Sequence, residues 1–172
     1  MCTTTTLAKK DIGYYKNGDT TIPYIKCYET NTVDEIKCEA IANSNVESCS
    51  ASNVGKLIKN GKLCLDSSKG KEFLAKGATA EKYLLKYSSS SIYSKNIVED
   101  GKYGVISISE NSMTIDVTDT STSSICVAIS DLKVTSGTCD ASSQKEYKKC
   151  AGSVCYNECK GTTGVDCRFF NL

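Results

Sequence analysis

Eleven cysteines and ten tyrosines are the residues of this chain with chemistry to offer, and histidine is absent. Without an imidazole, Ser-His-Asp and Cys-His arrangements have no general base. A serine–lysine pair would need a marking motif, and none stands out. Paired carboxylates would serve a glycosidase. Glu29, Asp34, Glu35, Glu39, Glu99, Asp100 and Glu110 are instead scattered through turn-like settings and read as surface charge. No glycine-rich phosphate loop or calcium-loop pattern occurs. The chain is therefore expected not to be an enzyme and to need no cofactor.

The cysteines have two readings, metal and disulfide. Structural zinc favours short pairs such as Cys-x-x-Cys, often with histidine, and this chain has neither. So many thiols suit an oxidising, extracellular setting, where crosslinks contribute roughly 2–4 kcal/mol each. They would offset a thin supply of core formers: three Phe, two Met and no Trp in 172 residues. Ten cysteines can pair in about 900 ways. Pairs that bracket a turn bring two Cα atoms within bridging distance. On that ground Cys27 is expected with Cys38, Cys49 with Cys64, and Cys126 with Cys139. Cys150, Cys155, Cys159 and Cys167 are expected to pair among themselves. Cys2 is left over, either free or separated from an upstream partner.

Tyrosine gives a large rigid contact area with a polar tip, and it is enriched at binding hot spots. Tyr14, Tyr15, Tyr24 and Tyr28 form one cluster; Tyr83, Tyr87, Tyr93 and Tyr103 form another. The competing reading makes them core substitutes for the missing Phe and Trp. Two binding faces follow. One holds Tyr14, Tyr15 and Tyr24. The other, preferred because the serine tract 88–91 reads as exposed loop, holds Tyr83, Tyr87, Tyr93 and Tyr103.

These side chains need a frame, and the patterning is mainly β. Asn17-Gly18, Asn60-Gly61 and Asp100-Gly101 suit two-residue hairpin turns. The second would set Ile58 opposite Leu63 and Leu57 opposite Cys64. Pro23 marks an edge or irregular strand. Residues 105–109 and 113–118 alternate as a hairpin, and 125–129 with 132–135 make a further pair. One helix is expected near 71–87, where Phe73, Gly77, Ala80, Leu84 and Tyr87 recur near helical spacing. Residues 1–138 read as a β-rich body and 139–172 as a cysteine-dense appendage. Irregular sandwich-like packing is the first expectation. Stacked, solenoid-like repeats are the alternative, because Gly13 to Gly18 resembles Gly55 to Gly61.

A net charge of +1, from 21 basic and 20 acidic residues, argues against a nucleic-acid binder, whose affinity rests on neutralising phosphates. No apolar run is long enough to cross a membrane, and the start lacks a signal-peptide pattern. The chain thus reads as a secreted module excised from a longer protein, with Met1 an added start.

Gly13-Tyr14-Tyr15-Lys16-Asn17-Gly18, Ile25-Lys26-Cys27, Lys37-Cys38-Glu39, Cys49-Ser50 and the run Gly55 to Leu65 resemble the cysteine-bearing repeats of scaffoldins from anaerobic gut fungi. The Lys/Asn/Ser/Thr/Tyr-rich, proline-poor composition is similar too. The likeness is clearest over residues 12 to 66. It implies a cohesin-like module in a cellulosome, whose partners are the dockerin domains of plant-cell-wall-degrading glycoside hydrolases. A carbohydrate-binding or cell-surface adhesion module, with polysaccharide as partner, is the alternative.

Overall fold

In the computed structural model the chain is mainly antiparallel β. The structure describes residues 11–30, 35–86, 103–116, 124–140 and 142–148, with two short strands at 156–157 and 169–170. The largest sheet has six strands: β1 (Gly13–Lys16), β2 (Tyr24–Glu29), β3 (Ile36–Ile41), β7 (Glu81–Lys86), β8 (Tyr103–Ile108) and β9 (Ser112–Asp116). Their order is β3-β2-β1-β9-β8-β7. A second sheet of β4 (Leu57–Ile58), β5 (Lys62–Cys64) and β6 (Gly70–Lys71) belongs to the segment that packs against it. A third contains β10 (Ser124–Ala128), β11 (Val134–Thr135) and β12 (Gln144–Lys148); β13 (Tyr156–Asn157) pairs with β14 (Phe169–Phe170). The segment beyond Cys139 therefore adds a strand to the third sheet, where β12 lies beside β10.

Alternation along the strands decides where the core sits. Tyr83 lies opposite Ile106, and Ile106 lies opposite Ile115. Ile108 lies opposite Met113, which in turn faces Tyr14. Directly opposed residues share a face, so these six side chains form one apolar surface, all of it buried. Val54, Leu63 and Leu65 close over it from the 42–75 segment. Gly13 sits at the seam between β1 and β9. A Cβ there would fall on the carbonyl oxygen of Met113, so only glycine lets the two strands approach.

Three disulfides join Cys27 to Cys38, Cys49 to Cys64, and Cys126 to Cys139. These are the three body pairings expected from the turn brackets. Cys2, Cys150, Cys155, Cys159 and Cys167 lie outside the described residues, as does the Asp100-Gly101 turn.

The helix expected over 71–87 is not formed. Among the described residues, the only helical elements are single 3-10 turns at Ala51–Asn53 and Lys59–Gly61. Residues 72–80 run as a covering loop tied to the β8–β9 turn. Leu74 N–H donates to Ser109 O at 3.0 Å, and Gly77 N–H to Glu110 Oε2 at 3.1 Å. Glu81–Lys86 is then a strand. Tyr83, Leu84 and Leu85 are all fully buried, so β7 is apolar on both faces. A short unbroken apolar run of that kind cannot be told from a helix by periodicity.

The hairpin turns also differ from expectation. Ile58 lies opposite Lys62 and Leu57 opposite Leu63, a slip of one residue. Lys59 N–H is taken by Val46 O at 2.8 Å and Asn60 N–H by Asn43 Oδ1 at 3.1 Å, which draws Lys59 into a three-residue loop. Asn17-Gly18 opens a longer loop, closed where Asn17 N–H donates to Pro23 O at 2.8 Å. Asp19 Oδ1 holds its middle by accepting from the backbone of Thr21 and Ile22. Pro23 precedes an interior strand, not an edge one, because β2 lies between β3 and β1. The two Gly-to-Gly motifs fall in different sheets, and every strand pairing described is antiparallel, so they do not stack as repeat units.

Candidate interaction face

Of the seven tyrosines expected at a partner face, the four whose side chains are described divide by burial. Tyr14 and Tyr83 are core residues, 2% and 0% exposed. Tyr14 donates to Gly55 O at 3.0 Å. Tyr83 donates to Glu81 Oε2, beneath the ammonium of Lys71, 4.8 Å from the ring centre. Burial raises the pKa of both phenols, and Glu81 raises that of Tyr83 further. Neither ring is open to a partner, so both are corrected to core positions; the reading of tyrosine as replacement for Phe and Trp holds there. Tyr103 lies in β8 opposite Lys86. Tyr87 and Tyr93 lie outside the described residues.

Tyr15 points to the other face of the sheet from Tyr14. It is half-buried, its hydroxyl donating to Asp11 O at 2.7 Å. Burial, with Asp11 second, pushes its pKa up to about 12. Among the four whose side chains are described, Tyr24 alone joins an accessible aromatic cluster.

That cluster follows from the period of β2. Tyr24, Lys26 and Tyr28 alternate onto the face that carries Tyr14 and Lys16, through the pairs Tyr14–Lys26 and Lys16–Tyr24. The apolar cover stops near β1. Beyond it the same face is half-exposed and mixed aromatic and charged. Tyr24 packs parallel to Phe73, with ring centres 5.9 Å apart and planes 4° apart. Lys16 Nζ stands 5.2 Å from the Phe73 ring centre. Ile41, opposite Tyr24 on β3, is partly buried against the core beside it. Further along, Lys26 Nζ lies 4.8 Å from the Tyr28 ring centre and 3.3 Å from Glu39 Oε1. The arrangement is an aromatic anchor ringed by charge, the form binding hot spots take.

Several features hold this face rigid. The Cys27–Cys38 bridge ties β2 to β3 immediately beneath it. Phe73 is partly buried against the core at its root. Gly61, at φ 71°, lies under Tyr24; a Cβ there would strike the phenol ring and its oxygen. Partial burial raises the Tyr24 pKa, and the carboxylate of Glu72 adds to the effect. Phe73, Lys16, Lys26 and Tyr28 were not among the expected site residues. The signal for three of them was present in the alternation Tyr24-x-Lys26-x-Tyr28 beside Lys16. Phe73 was hidden by the helical reading of its segment.

Three of the candidate carboxylates are described with contacts. Glu35 accepts from Thr30 Oγ1 at 2.6 Å, Glu39 pairs with Lys26, and Glu110 accepts the Gly77 N–H. Among the described residues, no three of His, Cys, Asp and Glu gather as metal ligands, and no helix is long and apolar enough to cross a membrane. Fold and site thus define a disulfide-rich antiparallel β domain with a half-exposed face of aromatic and charged side chains. Comparisons with protein-family models, curated proteins and solved structures found no match.

Proposed function

We propose that the chain is a secreted, non-catalytic protein-binding module. It is cohesin-like and captures dockerin-bearing plant-cell-wall-degrading enzymes into a fungal cellulosome at the cell surface. The observation that supports this reading is the Tyr24–Phe73 stack. Two aromatic rings are held at the rim of the core, beside Lys16 and Glu72, Tyr24 on a strand pinned by a disulfide and Phe73 on the covering loop. Such a patch suits a partner that brings apolar side chains and charges of both signs.

Titration calorimetry against an isolated dockerin from such an enzyme tests it. Tyr24→Ala and Phe73→Ala should each cost about 2 kcal/mol or more of binding, roughly thirtyfold in affinity. Ile129→Ala, at an exposed turn just after β10, should change nothing. Unaltered binding in both aromatic variants would sink the assignment of this face. A second reading, capture of polysaccharide, draws on the same flat parallel ring pair, because sugar rings stack on such surfaces. Retention on cellulose or xylan without dockerin capture would favour it.

A further inference from the structure

The six-stranded sheet has two edges, and they differ. On β7, Leu84 N–H donates outward to Leu132 O at 2.8 Å, and Tyr83 bridges to Lys133. On β3 the polarity of the ladder follows from two observations. Thr30 N–H donates to Glu35 O at 2.8 Å, so 30 and 35 form a hydrogen-bonded pair. Cys27 and Cys38, directly opposed, have Cα atoms only 4.1 Å apart, the spacing of the alternate, non-hydrogen-bonded pair. The backbone groups of Ile36, Cys38 and Ala40 therefore point away from β2. Among the described residues nothing pairs with them, and Lys37 to Ala40 are all exposed. A strand edge in this state is a template for another strand.

The side chains of β3 say which strand fits. In an antiparallel pairing of β3 with itself, centred on Cys38, Ile36 meets the second copy's Ala40 and Lys37 meets its Glu39. The outward backbone groups of 36, 38 and 40 then meet their counterparts as hydrogen-bonded pairs. Lys37 and Glu39 fall at the closer, non-hydrogen-bonded positions, where opposite charges are favourable. On the other face Ile36, Cys38 and Ala40 bring only apolar atoms together. The pattern Ile-Lys-Cys-Glu-Ala is thus self-complementary under a two-fold axis, as an isologous interface requires. The charged row would continue one already present, since Glu39 pairs with Lys26 within the chain.

We propose that β3 is a homodimerisation edge, and that two copies of this chain join through it into a continuous twelve-stranded sheet. The dimer would set two Tyr24–Phe73 faces on the same side of one sheet. Sedimentation velocity on the full chain over a range of concentrations tests this. A reversible dimer is expected. Glu39→Lys and Lys37→Glu should each weaken it about tenfold, and the double exchange should restore it, because the pairs are then merely reversed. Ala40→Pro removes an outward N–H and breaks no bond to β2, so it should abolish the dimer and leave the thermal midpoint unchanged at concentrations where the wild-type chain is monomeric. A monomer at all concentrations up to about 1 mM overturns the proposal. So does a dimer indifferent to these changes, or an edge that accepts a strand only from a different protein.

Discussion

The hydroxyl of Tyr14 on β1 donates to the carbonyl of Gly55 at 3.0 Å, across 41 residues of sequence and inside the core. It pins the covering segment to the face of the main sheet, where Val54 and Leu63 complete the apolar contact. Tyr14→Phe keeps the ring and leaves the carbonyl without its donor. The cost should be about 1–3 kcal/mol, measured as a lowered urea midpoint. An unchanged midpoint would mean that the hydroxyl holds nothing.

Gly61→Ala should affect the proposed binding face before the fold. The added methyl meets Tyr24 at a backbone φ of 71°, and a side chain there costs about 1 kcal/mol or more. Because Tyr24 must move away from Phe73, dockerin affinity should fall more than stability does. Calorimetry beside a denaturation curve separates the two.

Alkaline pH should unfold the chain. Tyr15 has its pKa raised from 10.0 to about 12, chiefly by burial, and Tyr14 and Tyr83 shift the same way. A raised pKa means that the folded state favours the neutral phenol. Its contribution is complete below the unfolded value of 10.0 and is lost as pH rises through the folded one. Denaturation midpoints should stay level into the mildly alkaline range and then fall between about 10 and 12. Ionisation of Tyr14, Tyr15 and Tyr83, read as the phenolate absorbance lost in their Phe variants, should appear with unfolding. Full ionisation near pH 10 in a still-folded chain would contradict this.

Removing the Cys49–Cys64 bridge by a double change to alanine should cost about 3 kcal/mol, given its sequence separation of 15. Cys64 is fully buried beside Leu63 and Leu65, so the effect should exceed that of an exposed staple. Equilibrium unfolding in urea checks it. Serine at 64 should be worse than alanine, since it buries a hydroxyl.

The parts legible in the sequence were those governed by local pattern. The alternation of Ile106, Ile108, Met113 and Ile115 gave the β8–β9 hairpin, and turn-bracketing cysteines gave three bridges. Failures arose where a partner distant in sequence decided the outcome. Leu84 fits a helical spacing with Phe73, Gly77, Ala80 and Tyr87, but layers from elsewhere bury both faces of β7, where Tyr83, Leu84 and Leu85 are all buried. Lys59 left its expected strand because Val46 and Asn43 compete for its backbone and that of Asn60. For the candidate face, tyrosine content could not separate core from surface; burial sorted Tyr14 and Tyr83 from Tyr24. Phe73 reached the face only through tertiary packing.

The seam between β1 and β9 bears on how the chain folds. Strands β1 to β3 follow one another along the chain, as do β7 to β9, and each trio pairs with its sequence neighbours. Joining the trios sets Gly13 beside Thr114, which closes a loop of 114 − 13 = 101 residues. Closing so long a loop is slow relative to forming a hairpin. The two halves of the sheet would form early and meet last, with Gly13 as the gap through which they dock. A side chain at that position would retard the final joining and prolong the time during which two bare strand edges are open to other chains.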